Sequence, residues 1–92
     1  EEWLKHHPLW RMENDALRTV AKFGNFSEAW AFMTAVAMEA EKRDHHPDWS
    51  NAYNVVEISL RTHSQNRITL KDLELAEAIE IWGKRLGAVG WQ

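Results

Sequence analysis

Cysteine is absent from the 92 residues. That excludes a disulfide framework, a cysteine nucleophile and a thiolate zinc site. Long apolar runs are missing as well. The longest uncharged stretch begins at Ala29 and is stopped by Glu39 after about half a bilayer span, so no transmembrane helix is expected. Glu1-Glu2 carries the wrong charge to open a signal peptide, so a cytoplasmic, membrane-free protein is the expectation. Positive charge is not in excess either: 11 basic against 14 acidic residues give a net charge of −3. Phosphate neutralisation usually needs the opposite sign, so no direct nucleic-acid partner is expected. With only two prolines and four glycines, no linker or low-complexity segment divides the chain, which reads as one domain.

Hydrophobic residues make up 45% of the chain and charged residues 27%, which excludes a disordered tail and fits a globular protein. Two counts stand out, six Trp and five His. Tryptophan brings large apolar area to a core or an interface. Histidine is the side chain whose ordinary titration falls near neutral pH.

Glu1 to His7 reads as the tail of a helix that begins upstream, ended by Pro8. Trp10 to Glu13 alternates apolar and polar, Asn14-Asp15 supplies a turn, and Ala16 to Phe23 alternates again with Leu17, Thr19, Ala21 and Phe23 on one side. The two runs predict a β-hairpin. Asn25 with Glu28 resembles a capping box, with Ser27 as an alternative cap, and the period is helical from there to Arg43. Ala29, Trp30, Met33, Val36, Ala37 and Ala40 form its expected apolar stripe, wider than one small sheet face needs, so self-association is expected. Pro47 breaks the chain, Ser50 to Asn54 reads as turn or short strand, and Val55 to His63 as a strand with Val56, Ile58, Leu60 and Thr62 on one face. A second capping-box-like start, Thr69 with Asp72, opens a helix carrying Leu75, Ile79, Trp82 and Leu86, whose end Gly83, Gly87 and Gly90 are expected to weaken. The sum is an α+β fold, a two-layer sandwich with helices on one face of a four-stranded antiparallel sheet.

His-His-Pro occurs twice, in HHPLW and HHPDW. In the second copy His45 and His46 leave the middle helix on a turn. His63 ends the best strand, and Asp72 follows in the first turn of the last helix. All four fall where elements begin or end, where site residues usually lie on a small scaffold. Taken singly, each has a structural explanation. A histidine near a helix C-terminus suits the dipole, and Asp72 stabilises the last helix whatever else it does. Metal ligation fits the residue types, but adjacent histidines diverge and no HxH or HxxxH lies on a regular element, so no metal site is expected.

The run from Glu41 through His45-His46-Pro47-Asp48-Trp49 to Asn54 resembles the signature of the pterin-4a-carbinolamine dehydratases. Val55 to Thr62-His63 continues the resemblance, as do the spacings from His45 to His63 and on to Asp72. Upstream, Phe26 to Met33 and Trp10 are similar to the same family. The resemblance implies removal of water from a 4a-hydroxytetrahydropterin to give the quinonoid dihydropterin, recycling the cofactor of aromatic amino-acid hydroxylases. It implies no cofactor, a pterin substrate, and a homotetramer or homodimer. One group protonates the departing hydroxyl and another takes the N5 proton, which two histidines can do. His45 and His63 are then the expected acid–base pair, His46 a pterin holder and Asp72 the group that fixes a histidine tautomer. Glu41, Pro47, Thr62 and Trp10 are expected at the substrate. Some relatives bind proteins instead, which implies a second expectation, a non-catalytic assembly or transcriptional-cofactor role through the middle helix.

Overall fold

The protein is described here from a computed structural model covering residues 2–92. A short helix α1 (Glu2–Lys5) leads into strands β1 (Arg11–Glu13) and β2 (Ala16–Lys22). Between them Asn14 and Asp15 both take positive φ, 54° and 62°, the turn geometry that matches the twist of a two-residue hairpin. Helix α2 (Phe26–Arg43), strands β3 (Asp48–Ala52) and β4 (Val55–Leu60), helix α3 (Leu70–Arg85) and a short β5 (Gly90–Trp91) follow. The sheet is antiparallel in the order β1-β2-β4-β3, and β5 pairs β2. β2 pairs with β1 over Ala16 to Arg18 and with β5 over Ala21 and Lys22, so both short strands take the same edge of β2.

Period-2 alternation decides which face is covered. Leu17 opposite Leu60, Thr19 opposite Ile58 and Ala21 opposite Val56 all turn inward and are buried. Phe32 and Val36 of α2 and Leu75 and Ile79 of α3 complete the core against them. Each such side chain contributes about 1.5–3 kcal/mol by burial. The result is the expected α+β sandwich. Among the described residues no helix is long and apolar enough to cross a membrane.

Four expectations need correction. The stripe of α2 is Ala29, Phe32, Val36 and Ala40, a spacing of three, four and four. Trp30 is 56% exposed and stacks on Phe26 with ring centroids 6.1 Å apart. One residue is 100° of helix, so a stripe anchored on Ala29 takes Phe32 and leaves Trp30 on the flank. Second, β4 stops at Leu60 rather than His63, because its last partners are Leu17 on β2 and, on the β3 side, Asp48 opposite Ser59. Beyond Leu60 only the isolated Thr62–Arg67 bridge remains, and it closes the turn that carries His63. Third, the stretch read as turn or short strand is β3 from Asp48 onward, and the turn falls at Tyr53-Asn54 with Tyr53 at φ 51°.

Fourth, the sheet has a fifth strand, and the glycine-marked tail is ordered to form it. The amide of Gln92 donates to the carbonyl of Val20 at 2.8 Å, and that of Val20 to the carbonyl of Gln92 at 2.9 Å. Gly83 is the reason the tail can lie there. A Cβ at this position would stand 2.4 Å from two ring atoms of Trp91, which meets Phe32 edge-on at 6.5 Å. Gly83 is thus a contact point between α3 and the tail, not a point of fraying.

The helices are tied to one another by Glu39, whose carboxylate accepts from the indole of Trp82 at 2.9 Å and from the guanidinium of Arg43. The Trp82 bond, then the Arg43 bond, and the nearby charges of Lys42 and Arg43 hold this carboxyl below the usual carboxylate range against the opposing effect of burial.

Two measurements check these readings. Gly83→Ala should cost about 1–3 kcal/mol in a urea melt by overpacking, and should speed hydrogen exchange at the Val20 and Gln92 amides. A carboxyl whose folded pKa is depressed stabilises above its ordinary pKa, and that stabilisation is lost as pH falls through the folded value. Glu39→Gln should therefore be less stable than wild type at pH 7, and the gap should narrow as melts are taken into the acid range.

Candidate active site

The end of α2 sets the site. The amide of Asp44 donates to the carbonyl of Glu41 at 3.2 Å and that of His45 to Ala40 at 3.0 Å. Asp44 sits in the left-handed region at φ 51°. This pair of bonds is the Schellman end of a helix, with aspartate where glycine is commonest. It turns the chain sharply, so His45 and His46 leave in different directions.

His45 turns inward and is 8% exposed. Its Nε2 lies 2.6 Å from Oδ1 of Asp72, which is fully buried. Asp72 is the third residue of α3, and its Oδ2 accepts the amide of Thr69 at 2.9 Å, the back-reaching half of the expected capping box. The same oxygen accepts the Thr62 hydroxyl at 2.8 Å. Thr62 has one proton to give, so the Thr69 hydroxyl, 2.6 Å away, donates to Thr62. Asp72 thus collects three donors from three segments. A buried carboxylate is tolerable only when its lone pairs are satisfied in this way. Because the carboxylate accepts, the proton of neutral His45 sits on Nε2 and its lone pair on Nδ1.

The other two histidines are also paired through Nε2. His46 hydrogen-bonds Oε1 of Glu41 at 2.9 Å, and His63 stands within ion-pair distance of Oδ2 of Asp48 at 3.1 Å. Both of these pairs are exposed. The pair His45–Asp72 joins the end of α2 to the first turn of α3, and Asp48–His63 joins the start of β3 to the turn beyond β4.

Several expected positions fall elsewhere than the sequence suggested. Glu41, expected at the substrate, partners His46 across the end of the helix. Thr62 is buried with its hydroxyl committed to Asp72 and Thr69, so it braces the aspartate from behind. Pro47 is half-buried between His46 and the start of β3. Trp10 is 4% exposed within the core cluster, with its indole nitrogen unpartnered. His6 and His7 stay with α1: His6 meets Glu2 at 3.2 Å, and the His7 ring stacks on Trp3 at 3.9 Å. Two residues of the cluster had no assigned role. Asp48 stood inside the quoted motif, a carboxylate two residues from His46. In the sequence Thr69 is legible only as a helix cap.

Known proteins are similar to this chain in sequence and fold. Residues 1–82 match the family described as pterin 4 alpha carbinolamine dehydratase. A candidate pterin-4-alpha-carbinolamine dehydratase of Prochlorococcus marinus is 46% identical over 80 residues, 87% of this chain and 84% of that protein. Another from Bradyrhizobium is 52% identical over 66 residues, 72% of this chain and 67% of that protein. The crystal structure of a Brucella melitensis protein described as a transcriptional coactivator/pterin dehydratase superposes with a TM-score of 0.87 at 39% identity, covering 89% of each chain. A pterin dehydratase-like protein identified as a RuBisCO assembly factor in the alpha-carboxysome shares the fold at a TM-score of 0.67 and 19% identity, over 80% of this chain and 86% of that one. With its middle helix, its His45-His46 turn and the Thr62-His63 turn beyond β4 all inside the matched residues, this chain belongs to the pterin-4-alpha-carbinolamine dehydratase family.

Proposed function

We propose that the protein dehydrates a 4a-hydroxytetrahydropterin to the quinonoid dihydropterin, with histidines as acid and base and no cofactor. The observation that carries this reading is the buried His45–Asp72 pair, an imidazole held in one tautomer with Nδ1 left for a ligand. A histidine bound this way can take or give a proton without first reorienting.

The reaction asks for two proton transfers. The C4a–O bond breaks with its electron pair going to oxygen, and an acid protonates the departing hydroxyl to water. The N5 proton passes to a base, and the N5–H electron pair becomes the N5=C4a double bond. His45 and His63 take these two roles, with the proton returned between them or through solvent. His46, on the exposed side with Glu41, holds the pterin. Help of this kind is typically worth about 10²–10⁴-fold. A carbinolamine also loses water unaided, so a modest enhancement suffices.

A second reading has its own support. Phe26, Trp30 and Met38 are exposed along α2, an apolar stripe beyond what the core uses. A second copy of the chain or a partner protein on that stripe would fit a relative described as a coactivator. The two readings use different faces and can coexist.

A dehydration assay tests the first reading. With 4a-hydroxytetrahydropterin generated in situ by an aromatic amino-acid hydroxylase, wild type should accelerate quinonoid dihydropterin formation. His63→Ala should fold normally and lose about 10²-fold or more in rate. An unchanged rate in this variant removes His63 from the mechanism. Asp72→Asn should lose rate and also about 1–3 kcal/mol of stability, because the amide presents a donor where Asp72 receives several. Paired rate and melt measurements check this.

A further inference from the structure

Asp48 opens β3 and has no part in the core, yet its Oδ2 stands 3.1 Å from Nε2 of His63. We propose that Asp48 is the positioning residue for His63, fixing its Nε2–H tautomer so that Nδ1 is the nitrogen that exchanges a proton with the pterin. The inference rests on the dehydratase reading and adds a residue to it.

The argument begins with what His63 lacks. Its side chain is 60% exposed and lies in the turn beyond the last rung of β4, so neither packing nor a ladder fixes its ring. An imidazole left in water exchanges tautomers and rotates. Asp48 supplies the missing constraint from a fixed base, since its backbone is registered opposite Ser59 on β4. An ionised carboxylate only accepts, so the ring nitrogen that faces it carries a proton whether the ring is neutral or charged. In the neutral ring the lone pair is therefore on Nδ1.

The other two histidines follow the same rule. His45 and His46 hydrogen-bond a carboxylate through Nε2, those of Asp72 and Glu41, and Nε2 of His63 is the ring nitrogen within ion-pair distance of its own. All three rings keep Nδ1 for the ligand. The pairs differ in how they are held. Asp72 is buried and braced by Thr62 and Thr69, whereas Asp48 is as exposed as the histidine it meets. An exposed ion pair contributes little to folding. Asp48 can thus be changed with little loss of stability, and its effect should appear in the chemistry.

The test compares wild type, His63→Ala, Asp48→Ala and Asp48→Glu in the dehydration assay, with the His63 ring nitrogens followed by ¹⁵N NMR. Asp48→Ala should lower kcat about tenfold, a part of the 10²–10⁴ available to acid–base help, with KM within about twofold of wild type. Its melting temperature should be unchanged, and the His63 signals should move from the Nε2–H pattern to a tautomer mixture. Asp48→Glu should recover most of both. A wild-type kcat in Asp48→Ala beside a crippled His63→Ala overturns the proposal and leaves the dehydratase reading standing. So does a rise in KM alone, which would make Asp48 a binding group. Full activity in His63→Ala removes His63 from the mechanism and overturns the role of Asp48 with it, whereas an inactive wild type fails the dehydratase reading instead. In that case an unchanged His63 NMR pattern in Asp48→Ala would overturn the pairing too.

Discussion

The Asp72 carboxylate is the constraint on which the rest of the site depends. It is fully buried, and a buried charge must be met by donors or it destabilises the fold. Three segments supply them: the Thr62 hydroxyl from beyond β4, the Thr69 amide from the start of α3, and His45 from the end of α2. Satisfying one carboxylate thus joins the sheet to both long helices. The tautomer of His45 follows from that requirement, because the ring nitrogen that meets an acceptor must hold the proton.

The three histidine–carboxylate pairs form a gradient from interior to solvent. His45–Asp72 is buried, while His46–Glu41 and His63–Asp48 lie open. The buried pair is held by packing and by a hydroxyl chain. The open pairs are held by the backbones beneath them, a helix end for Glu41 and a registered strand for Asp48. One histidine fixed from the interior and two facing solvent suit a substrate that arrives from solution.

Much of this was legible in the sequence. Period-2 alternation located the inner faces of β2 and β4, since nothing competes with a buried face there. Asn25 was recognisable as the cap of α2, and its Oδ1 does accept the Glu28 amide, while Glu28 reaches back to Gly24. His45, His63 and Asp72 stood out because they lie at element ends within a family pattern. What was not legible depended on partners distant in the chain. Trp30 and Phe32 fit a 3.6-residue period about equally, and only the sheet beneath the helix chooses between them. The end of β4 is set by where β2 and β3 run out, not by its own residues. Gly83 reads as a helix weakener until Trp91 is seen against it. Thr62 shares the inner face with Leu60, and nothing in that alternation indicates that its hydroxyl is taken by Asp72.

Asp72 occupies a helix-start position, where a carboxylate favours the first turn. Catalytic groups commonly cost a protein stability, so that drift toward a firmer fold erodes activity. At Asp72 the helix start is by itself a reason to keep the carboxylate. A lineage that gave up the chemistry would still keep this aspartate for its helix, and would shed the exposed histidines first.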